Sequence, residues 1–413
     1  MSEFKARTVA ILGRQPEFGV SELESLYGAE RIKPIGGSAA LLDIEAGEIN
    51  FKNLGGTIKV AKILAELSTS SWIGIEKYLI KQVPVHLKHV ASGKFTLGLS
   101  AYDFNVSPNQ INKTALSVKK AARRLPAGRQ GSMRVVPNKA AALSSAQVLH
   151  NRLTTKGAWE LVLVKHRNQT ILAQTMFVQD IEAYGARDQA RPARDAKVGM
   201  LPPKLAQIMI NLAVGQPDPM KANGWDKAEG VRKFIVLDPF CGTGVILQEA
   251  LLMGYSVYGT DIDERLVSYT KKNLQWLVGK YPNIEGRVMV EAVDATSYLW
   301  PRFSTVITEA YLGRPLNKLP APSELNKIVQ DSNTIIKKFL KNLRPQLKPD
   351  RKAVVAVPAW QISSRRFKFL PLVDELTDMG YSIVKFKHVD PGGLVYCRED
   401  QIVARQLLVI ERL

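Results

Sequence analysis

The chain has 413 residues, 46% hydrophobic and 23% charged, with a formal charge of +19. That composition is ordinary for a globular protein of two or three domains, and the basic excess favours nucleic acid or an anionic membrane surface over neutral partners. Two cysteines, Cys241 and Cys397, exclude a disulfide framework and a Cys-rich zinc site and fit a reducing cytoplasm; no window approaches the ~20 apolar residues of a spanning helix.

The first 19 residues lack a long apolar core and a small-residue cleavage site, so no signal peptide is expected. ARTVAILGR reads as a strand, SELESLYG as a helix stopped by Gly28, and SAALLDIEA as a strand. TIKVAKILAEL, with Ile58, Val60, Ile63, Leu64 and Leu67, is partly helical in period. IEKYLIKQVPVHLKHV carries a proline that marks a boundary, and FTLGLSAYDF alternates as a strand does.

The interval from Asn112 to Arg167 holds twelve lysines and arginines and one acid, Glu160. A charge run is usually a solvated helix face. Here the bias persists across helix, loop and strand patterns, which points to a nucleic-acid surface. LPAGRQGS reads as a surface insertion before the strand MRVVP. SSAQVLHNRL reads as a helix capped by Ser144 or Ser145, and WELVLVKHRNQTILAQTMFV as a hairpin. Residues 181–200 are polar with little periodicity and read as a linker. Repeated strand–helix units follow, as in a parallel α/β sheet.

The centre of the sequence is KFIVLDPFCGTGVILQEALLMGYSVYGTDID, residues 233–263. An apolar run, Phe234 to Leu237, ends in Asp238-Pro239-Phe240-Cys241-Gly242-Thr243-Gly244 and opens a helix. Two glycines let the backbone turn tightly near a ligand, and the helix presents free N–H groups. Asp261 closes the second strand, where a carboxylate can bind vicinal ribose hydroxyls; Asp263 reads as the next helix's N-cap. A NAD-type loop would need a third glycine where Leu247 stands.

The segment instead resembles motif one of class I methyltransferases, in the form found in enzymes that methylate exocyclic amines of nucleobases. The resemblance implies cofactor contacts from Asp238, Phe240, Cys241, Gly242, Thr243, Gly244, Asp261 and Asp294, the last after the third strand, RVMVEAVDAT. The fourth strand, FSTVIT, runs into Glu309-Ala310-Tyr311-Leu312-Gly313. Amino-directed enzymes have D-P-P-Y or N-P-P-Y there, because a side-chain oxygen and a carbonyl must free the amine lone pair while an aromatic ring stacks on a flipped base. Here Glu309 takes the acid position, Tyr311 is the candidate stacking ring, and both prolines are absent.

The whole chain resembles the THUMP-domain tRNA guanine-N2 methyltransferases that modify guanine-10. VAILGRQPEFGVSELESLYG is similar to their ferredoxin-like opening, KFTLGLSAY and RVVPNKAAALSSAQVLHNRL to the THUMP domain, and RPARDAKVGMLPPKLAQIMINLA to the segment before motif one. The resemblance implies an α/β fold: a class I, Rossmann-like methyltransferase domain behind an α+β ferredoxin-like and THUMP region. The boundaries are 1–55, 56–180, a linker over 181–200, and 201–413. It places Pro202, with Met200, Leu201 and Lys204, against the methionine end of S-adenosylmethionine. Lys119, Lys120, Arg123, Arg124, Lys139 and Arg152 would grip tRNA phosphates. A cytoplasmic monomer without metal is expected, since the five histidines are scattered and nothing calls for a small activating partner. Two other readings stay open: a non-catalytic tRNA-binding protein that keeps a cofactor pocket, and a DNA amino-methyltransferase.

Overall fold

The computed structural model describes residues 3–87, 93–123, 132–195, 201–216, 225–226, 231–232, 234–364, 366–398 and 401–413. The chain divides into two compact units: residues 1–20, 29–52 and 56–183, and residues 21–28, 53–55 and 184–413.

The first unit is built on β1 (Thr8–Leu12), β2 (Ile32–Ile35), β3 (Ala39–Leu42), β4 (Thr57–Leu67), β5 (Phe95–Tyr102), β6 (Met133–Val135), β7 (Ala158–His166) and β8 (Gln169–Val178). They form one sheet in the order β2-β3-β1-β4-β8-β7-β5-β6, so residues 1–55 and 56–180 share it. The helices are α1 (Pro16–Tyr27) in part, α2 (Trp72–Leu87), α3 (Pro108–Ala122) and α4 (Ser145–His150). Alternation along β7 gives the sheet two apolar faces. Leu161 and Leu163 pack with Ile75 and Leu79 of α2 and Ile111 and Val118 of α3, while Val162 and Val164 join Val9, Ile11 and Ile171.

Two local expectations fail here. TIKVAKILAEL is the strand β4, paired on both sides with β1 and β8, because sheet pairing outweighs an ambiguous local period. Pro84 lies inside α2 rather than at its end. A mid-helix proline costs about 3 kcal/mol locally, but Ile75, Leu79 and Val83 bury the helix on the sheet beneath. Ser144 does cap α4, in a capping box with Gln147. Most of the insertion LPAGRQGS lies outside the described residues.

The second unit contains α5 (Ile181–Gln189) in part, α6 (Pro203–Val214), a short pair β9 (Trp225–Asp226) and β10 (Val231–Arg232), then β11 (Ile235–Asp238), α7 (Val245–Leu252), β12 (Ser256–Asp261), α8 (Glu264–Lys280), β13 (Val288–Ala292), β14 (Thr305–Glu309), α9 (Pro322–Leu343), β15 (Lys352–Ser363), β16 (Arg366–Lys368), β17 (Tyr381–Ile383), β18 (Val395–Tyr396) and β19 (Val403–Arg412). The main sheet runs β13-β12-β11-β14-β15-β19-β17, parallel through β15, with β19 antiparallel. Both faces are covered. Val306, Ala353, Val355 and Leu408 join the cluster around Ile336 and Phe339 of α9, whereas Ile307, Val354 and Val409 are buried outside it.

This is the doubly wound, Rossmann-like α/β architecture that the motif implied. Its strand order reverses between β11 and β14, and in such sheets ligands sit beyond the carboxyl ends of the strands at that switch. Among the described residues, no helix is long and apolar enough to cross a membrane.

Candidate functional site

The loop after β11 is held open by backbone conformation and by neighbours far away in sequence. Gly242 and Gly244 adopt φ of 54° and 87°, a region that disfavours any side chain. Thr270 donates to the Gly242 carbonyl at 2.8 Å, and Asn273 to that of Thr243 at 2.9 Å. The segment expected as a linker takes part. Residues 181–189 form α5, and Arg191, 4% exposed, reaches Thr243 Oγ1 at 3.3 Å. The Asn273 side chain clasps Ala193 through two 2.9 Å hydrogen bonds. Low periodicity hid this segment because it is fixed by partners in other elements.

Asp238, at the end of β11, is 1% exposed. Its Oδ1 accepts from Thr308 Oγ1 at 2.6 Å and from the Phe240 amide at 3.3 Å. Burial pushes its carboxyl up to about 8, against those hydrogen bonds. Asp261 ends β12. Its Oδ2 accepts from the Gly242 amide at 2.9 Å and its Oδ1 from the Asp263 amide at 3.0 Å. Each oxygen keeps further acceptor capacity. Burial raises its pKa, and the two amides oppose that. Asp263 caps α8 through the Arg265 amide. Asp294 is exposed two residues beyond β13 and accepts from the amide and hydroxyl of Thr296, each at 2.8 Å.

Glu309 is the last residue of β14. Its Oε1 is bonded by Arg405 of β19, and the two side chains are 14% and 5% exposed. Burial raises the Glu309 pKa and the guanidinium opposes it. Tyr311, two residues on, is 43% exposed.

These groups converge on one cavity of about 720 Å³ at the carboxyl edge of the sheet. Asp238, Phe240, Cys241, Gly242, Thr243, Asp261, Asp294, Glu309 and Tyr311 line it. Gly244 does not; it is the left-handed N-cap of α7. Pro202 does not either: it is the N-cap of α6, and its neighbour Leu201 reaches the cavity. Met200 lies outside the described residues. Burial lowers the Lys204 pKa, and its ammonium stands 5.1 Å over the Tyr184 ring. Cys241 is buried, which pushes its thiol up.

Sequence reasoning missed the apolar wall of Ile246, Ile262 and Leu266, and it missed Arg405. The only signal for Arg405 was an arginine inside the apolar run ARQLLVIERL. The cavity sets Asp261, Asp263, Asp294 and Glu309, beside the proton-holding Asp238, against Arg314 and Lys338, which suits a cationic ligand with hydroxyls at the Asp261 end.

In the first unit, Lys119 and Lys120 occupy the last turn of α3 and Arg123 is its C-cap. Lys139 is exposed in the loop after β6, and Arg152 is exposed with φ 52° beyond α4. Arg124 lies outside the described residues. Asn112 and Asn138 exchange hydrogen bonds of 3.1 and 2.7 Å, tying the Lys139 loop to α3. Arg134 bonds Asn151 at 2.9 Å, joining β6 to the end of α4. Glu160, the one acid of the basic interval, is 0% exposed and paired with Lys59. That interval therefore offers no acid of its own to solvent.

No protein-family model matches the chain. It is 47% identical over 120 residues to a tRNA (guanine(10)-N2)-dimethyltransferase of Methanothermobacter thermautotrophicus, covering 28% of this chain and 30% of that one. It is 34% identical over 131 residues to the protein of that name in Methanocaldococcus jannaschii, covering 30% and 32%. The matched stretches thus span about a third of these relatives. Among solved structures, TrmN of Thermus thermophilus is similar with a TM-score of 0.52 at 15% identity, covering 99% of this chain and 100% of that one. At that identity the likeness concerns the fold.

Proposed function

We propose that the chain is a THUMP-type tRNA guanine-N2 methyltransferase that methylates N2 of guanine, at guanosine-10, with S-adenosylmethionine as donor. One observation carries the reading: a single cavity joins a carboxylate at the end of β12, Asp261, to a carboxylate and an aromatic ring at the end of β14, Glu309 and Tyr311. The partial likeness to the archaeal dimethyltransferases supports it and supplies the nucleotide.

The donor set fits this cofactor. Asp261 has acceptor capacity for two vicinal hydroxyls, Ile246, Ile262 and Leu266 offer an apolar wall for a flat ring, and Asp294 stands at that end. Bound there, S-adenosylmethionine supplies an electrophilic methyl group on a cationic sulfur. The acidic cavity favours that charge. Glu309 accepts a hydrogen from the guanine amine, localising the lone pair on N2, and the Tyr311 ring holds the unstacked base. Orientation and proximity carry most of the acceleration. Lys119, Lys120, Arg123, Lys139 and Arg152 hold tRNA phosphates from a THUMP-like domain over 56–180, behind a ferredoxin-like unit over 1–55. The protein acts as a cytoplasmic monomer.

Purified protein, labelled S-adenosylmethionine and unmodified tRNA transcripts, followed by nucleoside analysis, test the reading. N2-methylguanosine from wild type, absent from Glu309→Ala and Asp261→Ala, is expected. Binding of cofactor and tRNA without any methylated nucleoside would instead favour the non-catalytic reading.

A further inference from the structure

β15 does not stop where the parallel sheet stops. Its pairing with β14 ends at Glu309 and Ala356, yet the strand continues to Ser363 and returns as β16. At ~3.3 Å per residue, the hairpin rises roughly 20 Å past the carboxyl edge, on the side where the cavity lies. Its tip carries Ile362, 41% exposed, and an exposed Arg366, and Phe369, 40% exposed, follows β16 at the base of the hairpin. The rings of Phe367 and Phe369 stand 6.2 Å apart.

The sequence has no Asp or Glu between Asp350 and Asp374. Among the described residues, no carboxylate pairs with Arg366 or Lys368; the Lys368 ammonium bonds the neutral amide oxygen of Asn326, on α9. The loop after Glu309 rests on the same part of that helix, since a Cβ on Gly313 would come within 3.3 Å of Ile328 and 3.5 Å of Ser332. Thus an acidic cavity is flanked at its edge by a hairpin whose described cations have no carboxylate partner and which carries a half-buried ring, Phe367, and an exposed one, Phe369. A polyanion whose base enters the cavity must lie along that edge.

We propose that Ile362, Arg366, Phe367, Lys368 and Phe369 form an RNA-contacting wall on the catalytic unit, which holds the unpaired strand flanking the nucleotide that enters the cavity. Interleaved cations and aromatic rings are the chemistry that binds single strands: the cations meet phosphates and the rings stack on bases. The proposal deepens the tRNA reading and rests on it.

The test measures binding by the full chain without cofactor. The probes are a fluorescein-labelled single-stranded RNA of about twelve nucleotides, long enough for one such site, and tRNA, each titrated at several salt concentrations. Arg366→Gln with Lys368→Gln should weaken binding and reduce the salt slope of log K by about 1.4, two single-strand phosphate contacts. Phe369→Ala should weaken binding about tenfold with the slope unchanged. Thiouridine-substituted RNA should cross-link to the peptide spanning 360–370. Unchanged affinity and slope in both variants, or no RNA binding by wild type, overturns the proposal, as it would if a protein were the partner. Should Phe369→Ala fail to fold, the charge variant decides. RNA binding lost in the variants from a wild type that makes no methylated nucleoside keeps the wall and removes methyl transfer.

Discussion

The Arg405 guanidinium spans β15 to bond Glu309: the two residues lie on strands that flank it, with Arg405 buried and Glu309 largely so. A carboxylate in that position would otherwise favour its protonated form, so Arg405 is the group that keeps Glu309 able to accept a hydrogen bond. Arg405→Gln is expected to lower kcat by about 100-fold or more, the scale of losing one preorganised polar group, with cofactor affinity little changed. Without the guanidinium the Glu309 pKa rises further, so the acid limb of the pH–rate profile moves to higher pH. A profile that only drops, without moving, would argue against this role. Since breaking a buried pair also costs about 3–5 kcal/mol of stability, Arg405→Lys serves as the control that should restore the limb.

Asp238 gives a second pH signature, in stability. Its folded pKa of about 8 lies above the ordinary carboxylate value of about 4. The folded chain therefore retains a proton that the unfolded chain releases, and stability falls as pH rises through that window. Asn at 238 cannot ionise and keeps an oxygen for Thr308 Oγ1 and the Phe240 amide. The fall in Tm between roughly pH 4 and pH 8 should shrink by several degrees in Asp238→Asn. Equal falls in both proteins would place the proton elsewhere.

Asp261→Asn is predicted to weaken S-adenosylmethionine about 10- to 100-fold by calorimetry, the scale of a charge-assisted hydrogen bond. Both carboxylate oxygens already hold backbone amides, so an amide side chain leaves one of those N–H groups facing a donor. Unaltered affinity would remove Asp261 from the cofactor site.

These residues differ in how far the sequence revealed them. Asp238, Gly242 and Asp261 were legible because one strand–loop–helix–strand unit positions all three within 24 residues. The parallel sheet was legible because runs such as FIVL and AVVAV are apolar throughout. Arg405 was not, because its meaning depends on β19 lying next to β15, a pairing set by the whole sheet. α5 and Arg191 were hidden similarly, and β4 was misread because 3.6 and 2.0 periodicities overlap in TIKVAKILAEL. Local pattern fixed the loop; long-range pairing supplied what surrounds it.

The buried pair of Lys59 and Glu160 predicts a non-additive stability result. Lys59 also donates to the Leu143 carbonyl at 2.8 Å, and Glu160 accepts from Ser100 and Thr175, each at 2.6 Å. Removing one charge strands the other, which costs about 3–5 kcal/mol. Lys59→Met should therefore be strongly destabilised in urea, and Lys59→Met with Glu160→Gln should recover a large part of the loss. Simple additivity of the two changes would exclude a coupled pair.

Because that pair hides the only acid of residues 112–167, bases alone in the interval set the potential over α3 and the Lys139 loop. Replacing Lys119, Lys120 and Arg123 together with Gln should weaken every tRNA to a similar degree, since phosphate contacts carry no sequence information. The salt slope of log K should fall by about 2 to 3, one unit or slightly less for each phosphate no longer neutralised. The fold should hold, because the apolar side of α3 is Ile111, Ala115 and Val118. An unchanged slope with intact tRNA binding would mean these cations are only a solvated helix end, and the grip on tRNA would then have to come from another surface of the chain.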